Sequence, residues 1–193
     1  IYRFNAGTGE FDFIAETAAE AENYQDGALD EGTVYQYKIA ARTLGGDSAQ
    51  VGPVSPITLP IAPSDLAGVQ TPTGSVSLNW SDLSGGEQGY KVVRRVQGET
   101  IWNEIGTTAA NGHSFDYDLI AEATVYEYSV CGFNASGDGP FAPPIALMTL
   151  PAAVGSTQAV PISTSQIALS WLDDSLGESG FRIERDLGEG FVE

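Results

Sequence analysis

The sequence predicts an all-β protein made of tandem two-sheet sandwiches, and three observations support this fold class. Short stretches such as 35–41, 76–80 and 126–130 alternate apolar with polar residues, which is the period of a strand that buries one face. The 23 glycines and 10 prolines are scattered between these stretches, where they indicate turns. The third observation is an internal repeat, because matching residues recur 91 positions apart.

The repeat is carried by many positions that share identity or apolar character at one constant offset. Pairs separated by 91 residues include Arg3 with Arg94, Arg94 with Arg185, Thr33-Val34-Tyr35 with Thr124-Val125-Tyr126, Thr58-Leu59-Pro60 with Thr149-Leu150-Pro151, and Leu78 and Trp80 with Leu169 and Trp171. A unit of this length with a turn about every 8–12 residues is typical of a β-sandwich. The chain is about two such units long.

One complete unit, residues 61–150, combines four motifs in a fixed order. They are Leu78-x-Trp80, Gly89-Tyr90-x-Val92-x-Arg94, Thr124-x-Tyr126-x-Tyr128-x-Val130 and Asn134-x-x-Gly137. In this order they resemble the fibronectin type III domain, and the resemblance extends over the whole chain. It implies tandem immunoglobulin-like β-sandwiches. One departure is Gly132, where the family usually has alanine, and it is expected to weaken packing locally.

The resemblance also implies which residues build the structural core of each unit. Three kinds of position occur in pairs: the inter-sheet tryptophans Trp80 and Trp171, the corner tyrosines Tyr35 and Tyr126, and Leu29 and Ile120 beneath the corner. In the family's tyrosine corner the hydroxyl binds a backbone group a few residues upstream. We therefore interpret all six residues as structural.

Both ends of the chain fall inside a repeat unit. Because Ile1 aligns with Val92, residues 1–60 are expected to form a partial domain that lacks its first two strands. Residues 61–150 then form a complete domain, and residues 151–193 a partial domain with its first three strands. A half sandwich leaves an apolar face and strand edges open to water, so we expect this segment to belong to a longer repeat array. Exchange of strands between copies of the chain is the alternative.

The charge balance excludes several classes of partner. Only 8 Lys and Arg stand against 26 Asp and Glu, a net charge of −18. Phosphate backbones select basic faces, so a nucleic-acid partner is not expected, and neither is an anionic membrane surface. No apolar run approaches the roughly 20 residues of a membrane span. The single cysteine, Cys131, excludes an internal disulfide and a zinc cluster built from cysteines.

The sequence predicts no catalytic and no cofactor-binding residue, so the chain is not expected to be an enzyme. The only histidine, His113, falls in a Gly-Ser turn, where a solvated loop residue is far commoner than a general base. Cys131 lacks the basic neighbours that lower the pKa of a reactive thiol. Both residues are interpreted as passive.

Acidic clusters offer weak candidates for calcium binding. These are Asp116 with Asp118 and Asp173 with Asp174. Because neither has the Asp-x-Asp-x-Asp-Gly loop of a calcium hand, a solvated acidic face is the favoured interpretation. No cofactor is therefore expected.

Two sequences match the Asn-x-Ser acceptor for N-glycosylation. Asn79 stands beside the predicted core residue Trp80, which argues against a glycan there. Asn134 falls in a predicted turn and is expected to be accessible.

These observations predict a non-catalytic structural array: a stalk, fibre or surface-layer component outside the cell. The acidic, Lys-poor composition is typical of an exported microbial protein. At the unit boundaries Pro60, Pro63 and Pro151 restrict the backbone and favour a semi-rigid rod. Expected partners are neighbouring repeats of the same chain, identical copies, or other surface and matrix proteins.

Two other functions stay open at this point. One is an adhesion or recognition module that binds protein or glycan through loops or edge strands. The other is an accessory region of a large secreted polysaccharide-degrading enzyme whose catalytic domain lies elsewhere.

Overall fold

The structure, a computed structural model, describes residues 1–71, 74–118, 120–186 and 191–192. Within these ranges the chain forms eighteen strands and no helix. Accordingly, the described residues contain no helix of the length and hydropathy needed to cross a membrane. The predicted fold class is confirmed: the strands form consecutive antiparallel units in register with the 91-residue repeat.

The first unit forms a four-stranded sheet and a separate two-stranded ribbon. Its strands are β1 (Tyr2–Asn5), β2 (Glu10–Phe13), β3 (Tyr37–Ile39), β4 (Arg42–Thr43), β5 (Gly46–Asp47) and β6 (Val51–Val54). The sheet has the order β2-β1-β3-β6, and β4 pairs with β5 as a separate ribbon. All pairings are antiparallel.

The central unit is a complete two-sheet sandwich. Its strands are β7 (Ser64–Gln70), β8 (Val76–Ser81), β9 (Gly89–Val96), β10 (Asn103–Ala109), β11 (Ser114–Tyr117), β12 (Val125–Asn134), β13 (Gly137–Asp138) and β14 (Ile145–Met148). One sheet has the order β11-β8-β7, and the other runs β10-β9-β12-β13 with β14 also paired to β12. The first unit repeats the second of these sheets, since β2, β1, β3 and β6 follow the order of β10, β9, β12 and β14.

The core of the central unit lies between its two sheets because side chains alternate in direction along each strand. On β8 the apolar residues Val76, Leu78 and Trp80 are at most 5% exposed. They pack in one cluster with apolar residues of β9 and β12, among them Tyr90 and Val130. The rings of Trp80 and Tyr90 lie 5.5 Å apart.

The third unit begins with a hairpin of β15 (Thr157–Ser163) and β16 (Gln166–Trp171), followed by β17 (Arg185–Asp186) and β18 (Phe191–Val192). Several of its apolar side chains are open to solvent: Ile167 is 65% exposed, whereas Val76, at the matched position of β8, is buried and faces a second sheet. Residues 187–190 and 193, which belong to the third predicted domain, lie outside the described residues. The predicted domain boundaries stay a prediction.

Candidate functional site

The tyrosine corner is built twice, at positions separated by one repeat. The backbone N–H of Ala121 donates to the hydroxyl of Tyr126 over 3.2 Å, and the N–H of Asp30 donates to the hydroxyl of Tyr35 over 3.0 Å. Tyr126 is only 6% exposed, so its ring also fills part of the core. The corner fixes the loop that enters β12 in the central unit.

The other four residues of the predicted core differ in burial between units. Trp80 is buried and Ile120 packs against the same cluster. Leu29 is partly buried in the first unit, and Trp171 is partly buried in the third, where its ring lies 5.2 Å from that of Phe181. The structure thus brings Trp80, Tyr126 and Ile120 into one core and places the remaining residues in separate units.

Replacing Tyr126 by phenylalanine is expected to destabilise the central unit by about 1–1.5 kcal/mol, the net value of a hydrogen bond to a buried group. Chemical denaturation measures the change in the free energy of unfolding. His113→Ala is the control, because the His113 side chain is exposed and only its backbone carbonyl is used, as acceptor for Trp80 N–H. A large loss for His113→Ala and none for Tyr126→Phe would contradict the structural role of the corner.

A pair of hydrogen-bonded threonines beside the tyrosine corner was not predicted, although the repeated Thr-Leu-Pro motif contains one of them. The N–H of Thr124 donates to Thr149 Oγ1 over 2.8 Å, and Thr149 Oγ1 donates to the carbonyl of Ala121 over 2.7 Å. Thr33 and Thr58 make the same contacts in the first unit. The repeated Thr-Leu-Pro motif therefore marks the point where the last strand of one unit is tied down before the next unit begins.

The junction between the first and central units is closed by the carboxylate of Glu31. The hydroxyl of Ser84 donates to Glu31 Oε2 over 2.6 Å, and the N–H of Gly85 donates to Glu31 Oε1 over 2.8 Å. The hydrogen bonds from Ser84 and Gly85, with a smaller contribution from the N–H of Ile61, hold the pKa of Glu31 below its usual value, although partial burial acts to raise it. Glu31 belongs to the first unit, Ser84 and Gly85 belong to the central unit, and Ile61 lies in the linker before β7.

Close backbone packing and a buried amide complete this junction. A methyl group on Gly86 would overlap the Cα of Gly32, so the two backbones touch. Asn134, 6% exposed, donates from Nδ2 to the carbonyl of Thr58 over 2.8 Å. Pro60 is fully buried and lies against Gly132. Gly132 thus makes room for Pro60, which corrects the expectation that it only weakens packing.

The junction between the central and third units repeats two of these contacts at the same offset. Glu122, the counterpart of Glu31, accepts a hydrogen bond from the N–H of Ala152, the counterpart of Ile61. Gly177 packs against Ala123, as Gly86 packs against Gly32. A contact pattern that recurs with the repeat shows that successive units meet in a built interface instead of through a free linker.

The pH dependence of the Glu31 clasp follows from its lowered pKa. A carboxylate with a lowered pKa stabilises the folded state fully above the unfolded value of about 4.3 and loses this contribution as the pH falls through the folded value. We expect the carboxyl carbon of Glu31 to titrate by NMR below the unfolded-state value of about 4.3, and Glu31→Gln to flatten the acid limb of the unfolding free energy. Glu10→Gln is the matched control. Titration of the Glu31 carboxyl group at or above the unfolded-state value would contradict this contact.

Asn134 is not accessible, contrary to the expectation from its turn-like sequence. Its Nδ2 donates to the carbonyls of Thr58 and Gly86, and its Oδ1 accepts from the N–H of Ser136. The Asn134 side chain is buried in the junction, because the preceding unit packs against it through Thr58. Asn79, whose position beside Trp80 argues against a glycan, is exposed on the outer face of β8.

Cys131 and His113, the two side chains considered for catalysis, differ in their exposure. Cys131 is fully buried, and this burial raises the pKa of its thiol to about 12. His113 is exposed and lies just before β11. Among the described residues, no group of three or more His, Cys, Asp or Glu side chains is arranged to hold a metal ion.

The weak calcium candidates are also exposed: Asp116, Asp118, Asp173 and Asp174. Asp173 Oδ1 accepts from the N–H and the hydroxyl of Ser175, which is a local turn contact. We expect calcium and sodium to give the same melting temperature at matched ionic strength, because both then only screen the net charge of −18. A further rise that is specific to calcium would reveal a bound ion.

The class of protein that this architecture defines is a tandem array of fibronectin type III-like sandwiches. The chain is 30% identical to contactin-2 of Rattus norvegicus over 118 residues, 55% of this chain and 11% of contactin-2. It is 28% identical to tyrosine-protein phosphatase Lar of Drosophila melanogaster over 194 residues, 90% of this chain and 10% of Lar. The chain therefore spans about a tenth of the length of these relatives.

The solved FN1-FN3 domains of chicken CNTN1 superpose with a TM-score of 0.48 at 20% identity, covering 77% of this chain and 55% of that one. No model of a protein family matches the chain. Both relatives named above are animal proteins, so the expectation of a microbial source finds no support.

Proposed function

We propose that the chain is a non-catalytic, semi-rigid spacer in an extracellular array, which holds neighbouring domains at a fixed separation and orientation. The observation that carries this proposal is the clasped junction, where the Glu31 carboxylate joins the first unit to Ser84 and Gly85 of the next. A spacer needs such contacts, because a free linker would let the units rotate independently. Similarity to contactin-2 and Lar supports an extracellular setting.

The junction contacts leave the linker few conformations. Pro60 is buried and its φ is fixed by the pyrrolidine ring. The buried Asn134 side chain then holds the carbonyl of Thr58, two residues earlier in the chain. Bending at this point would break these contacts together, so the cost of bending is shared by several groups.

Lateral association of units through the edges of their sheets has less support than contact through the ends of the units or the faces of the sheets. The edge strand β7 carries a bulge between Ser64 and Ala67, and the edge strand β10 carries one between Glu104 and Gly106. Bulges at sheet edges twist the backbone and hinder pairing with another strand.

Two spin labels measure the stiffness of the junction directly. Thr8 and Glu99 lie in exposed turns at matched positions of the first and central units, and the buried Cys131 does not compete for the label. In the Thr8→Cys, Glu99→Cys chain we expect one narrow distance distribution, with a separation of roughly 30–40 Å for a unit built of strands and turns. A broad distribution would rule out the spacer and leave freely jointed domains.

Recognition of another surface protein is the second candidate, and one observation favours it. On the outer face of the β9-β10-β12 sheet, the guanidinium of Arg95 lies 4.5 Å from the ring of Trp102 and is paired with Glu127. Tryptophan and arginine are the residue types that most often dominate binding energy at interfaces. If this face binds, Trp102→Ala should weaken binding of the chain to cells and leave the spin-label distance unchanged.

A further inference from the structure

The outer face of the β11-β8-β7 sheet carries an exposed asparagine within an acceptor sequence for N-glycosylation. Asn79 lies on the middle strand β8, between the buried residues Leu78 and Trp80. Because side chains alternate across a strand, the two neighbours point into the core and Asn79 points to solvent. Ser81, the third residue of the Asn-x-Ser acceptor, lies at the end of the same strand.

The surroundings of Asn79 leave room for a sugar. Its cross-strand neighbours are Ala67 on β7 and Ser114 on β11. Both are exposed and small. Directly opposed residues on paired strands are only about 4.5–5.5 Å apart, so larger neighbours would crowd the first sugar of a glycan.

The second acceptor sequence has the opposite environment. The Nδ2 atom of Asn134 would carry the sugar, but it donates to two carbonyl groups in the junction and is buried. A glycan on Asn134 is incompatible with the clasped junction, because it would displace Thr58 and Gly86. The folded chain therefore accommodates a glycan at Asn79 and not at Asn134.

We propose that Asn79 is an N-glycosylation site of this chain, an inference that rests on the proposed extracellular function for its setting. The co-reactant is a lipid diphosphate-linked oligosaccharide of the secretory pathway. A bond forms between Asn79 Nδ2 and the anomeric carbon of the first sugar, while the bond from that carbon to the diphosphate oxygen breaks. The lipid diphosphate leaves and the amide gives up one proton, so no oxidant or reductant is needed.

A glycan at this position has a consequence for how the array makes contacts. It covers the β11-β8-β7 face of the central unit and leaves the opposite sheet, which carries Arg95 and Trp102, free of this glycan. Lateral packing of units is then restricted to one side of the rod. Asn79 has no counterpart acceptor one repeat later, since position 170 is serine, so the third unit lacks this restriction.

The test is to express the 193-residue chain behind a secretion leader in cultured mammalian cells. Enzymatic deglycosylation in heavy-oxygen water marks each formerly glycosylated asparagine as labelled aspartate, which peptide mass spectrometry locates in both the secreted and the intracellular chain. We expect the label at Asn79 and none at Asn134. Asn79→Gln and Ser81→Ala should each remove the glycan, and Asn134→Gln should keep it.

Two outcomes would overturn the proposal: an unmodified Asn79 in both fractions, or a glycan at Asn134 in a chain that melts like the bacterial product. Chain made in bacteria carries no such glycan and serves for the spin-label measurement. A missing glycan with a narrow distance distribution refutes this inference alone, whereas a broad distribution refutes the spacer and leaves the glycan result standing.

Discussion

Replacing Trp80 by alanine is expected to destabilise the central unit by about 3–5 kcal/mol, the usual cost of removing a buried aromatic ring. Trp80 is 5% exposed and packs between the two sheets against Tyr90 and the apolar residues of β12. A typical domain has a total stability of about 5–15 kcal/mol, so the loss consumes a large part of it. Thermal and chemical denaturation of the full chain measure the change.

Two matched variants separate ring packing from other effects. Trp80 Nε1 is buried and has no hydrogen-bond partner in the described part of the chain, so Trp80→Phe loses volume but no hydrogen bond and should cost clearly less than Trp80→Ala. Trp171→Ala removes the same residue from the third unit, where the ring is only partly buried. That variant should leave the unfolding transition of the central unit unchanged. Equal losses for Trp80→Ala and Trp171→Ala would mean that the units do not unfold separately.

The sequence predicted the parts of the structure that depend on local periodic signals. Alternation along 76–80 assigned Val76, Leu78 and Trp80 to one face, and these residues are buried. The repeat located both corner tyrosines, and each hydroxyl accepts a backbone N–H five residues upstream. Such signals can be read from sequence because strand geometry imposes a period of two on any half-buried strand.

The junction was not predicted, because its contacts join single residues that are distant in the chain and show no period. Glu31 reaches a hydroxyl 53 positions later, and Asn134 reaches a carbonyl 76 positions earlier. An acidic residue before a glycine and an asparagine in a turn both have common solvent-exposed explanations. The usable signal was the recurrence of Glu31 as Glu122, which separates a built contact from a surface charge.

Residues at matching positions of the repeat can also have different interaction partners in different units. In the first unit Arg3 pairs with Asp26 at 2.7 Å, and the hydroxyl of Tyr37 donates to the same carboxylate. The counterpart of Asp26 in the central unit is Tyr117, whose ring lies 4.7 Å from the guanidinium of Arg94. The repeat therefore predicted the arginine but not its partner, since an ion pair and a cation–π contact can satisfy the same cationic side chain.

The second large effect is expected from Gly86→Ala, which should open the junction without unfolding either unit. The added methyl group would overlap the Cα of Gly32, and a backbone atom cannot turn aside as a flexible side chain can. The φ of Gly86 lies outside the left-handed region, so alanine itself is tolerated at this position. Relief of the overlap requires the units to separate, which breaks the neighbouring hydrogen bonds of Glu31. The expected result is a broadened distance distribution between labels at positions 8 and 99.

Gly27→Ala is the matched control for this substitution. Nothing lies within 4 Å of the methyl group that it would add, and the residue belongs to a loop of the first unit. It should leave both the distance distribution and the melting temperature unchanged. Retention of the narrow distribution in Gly86→Ala would show that the Gly32–Gly86 contact does not set the orientation of the units. A spacer function would then depend on Pro60 and Asn134. Asn134→Ala distinguishes these two residues, because it frees the carbonyl of Thr58 while the Gly32–Gly86 contact is kept. Loss of the narrow distance distribution in that variant would assign the orientation of the units to Asn134.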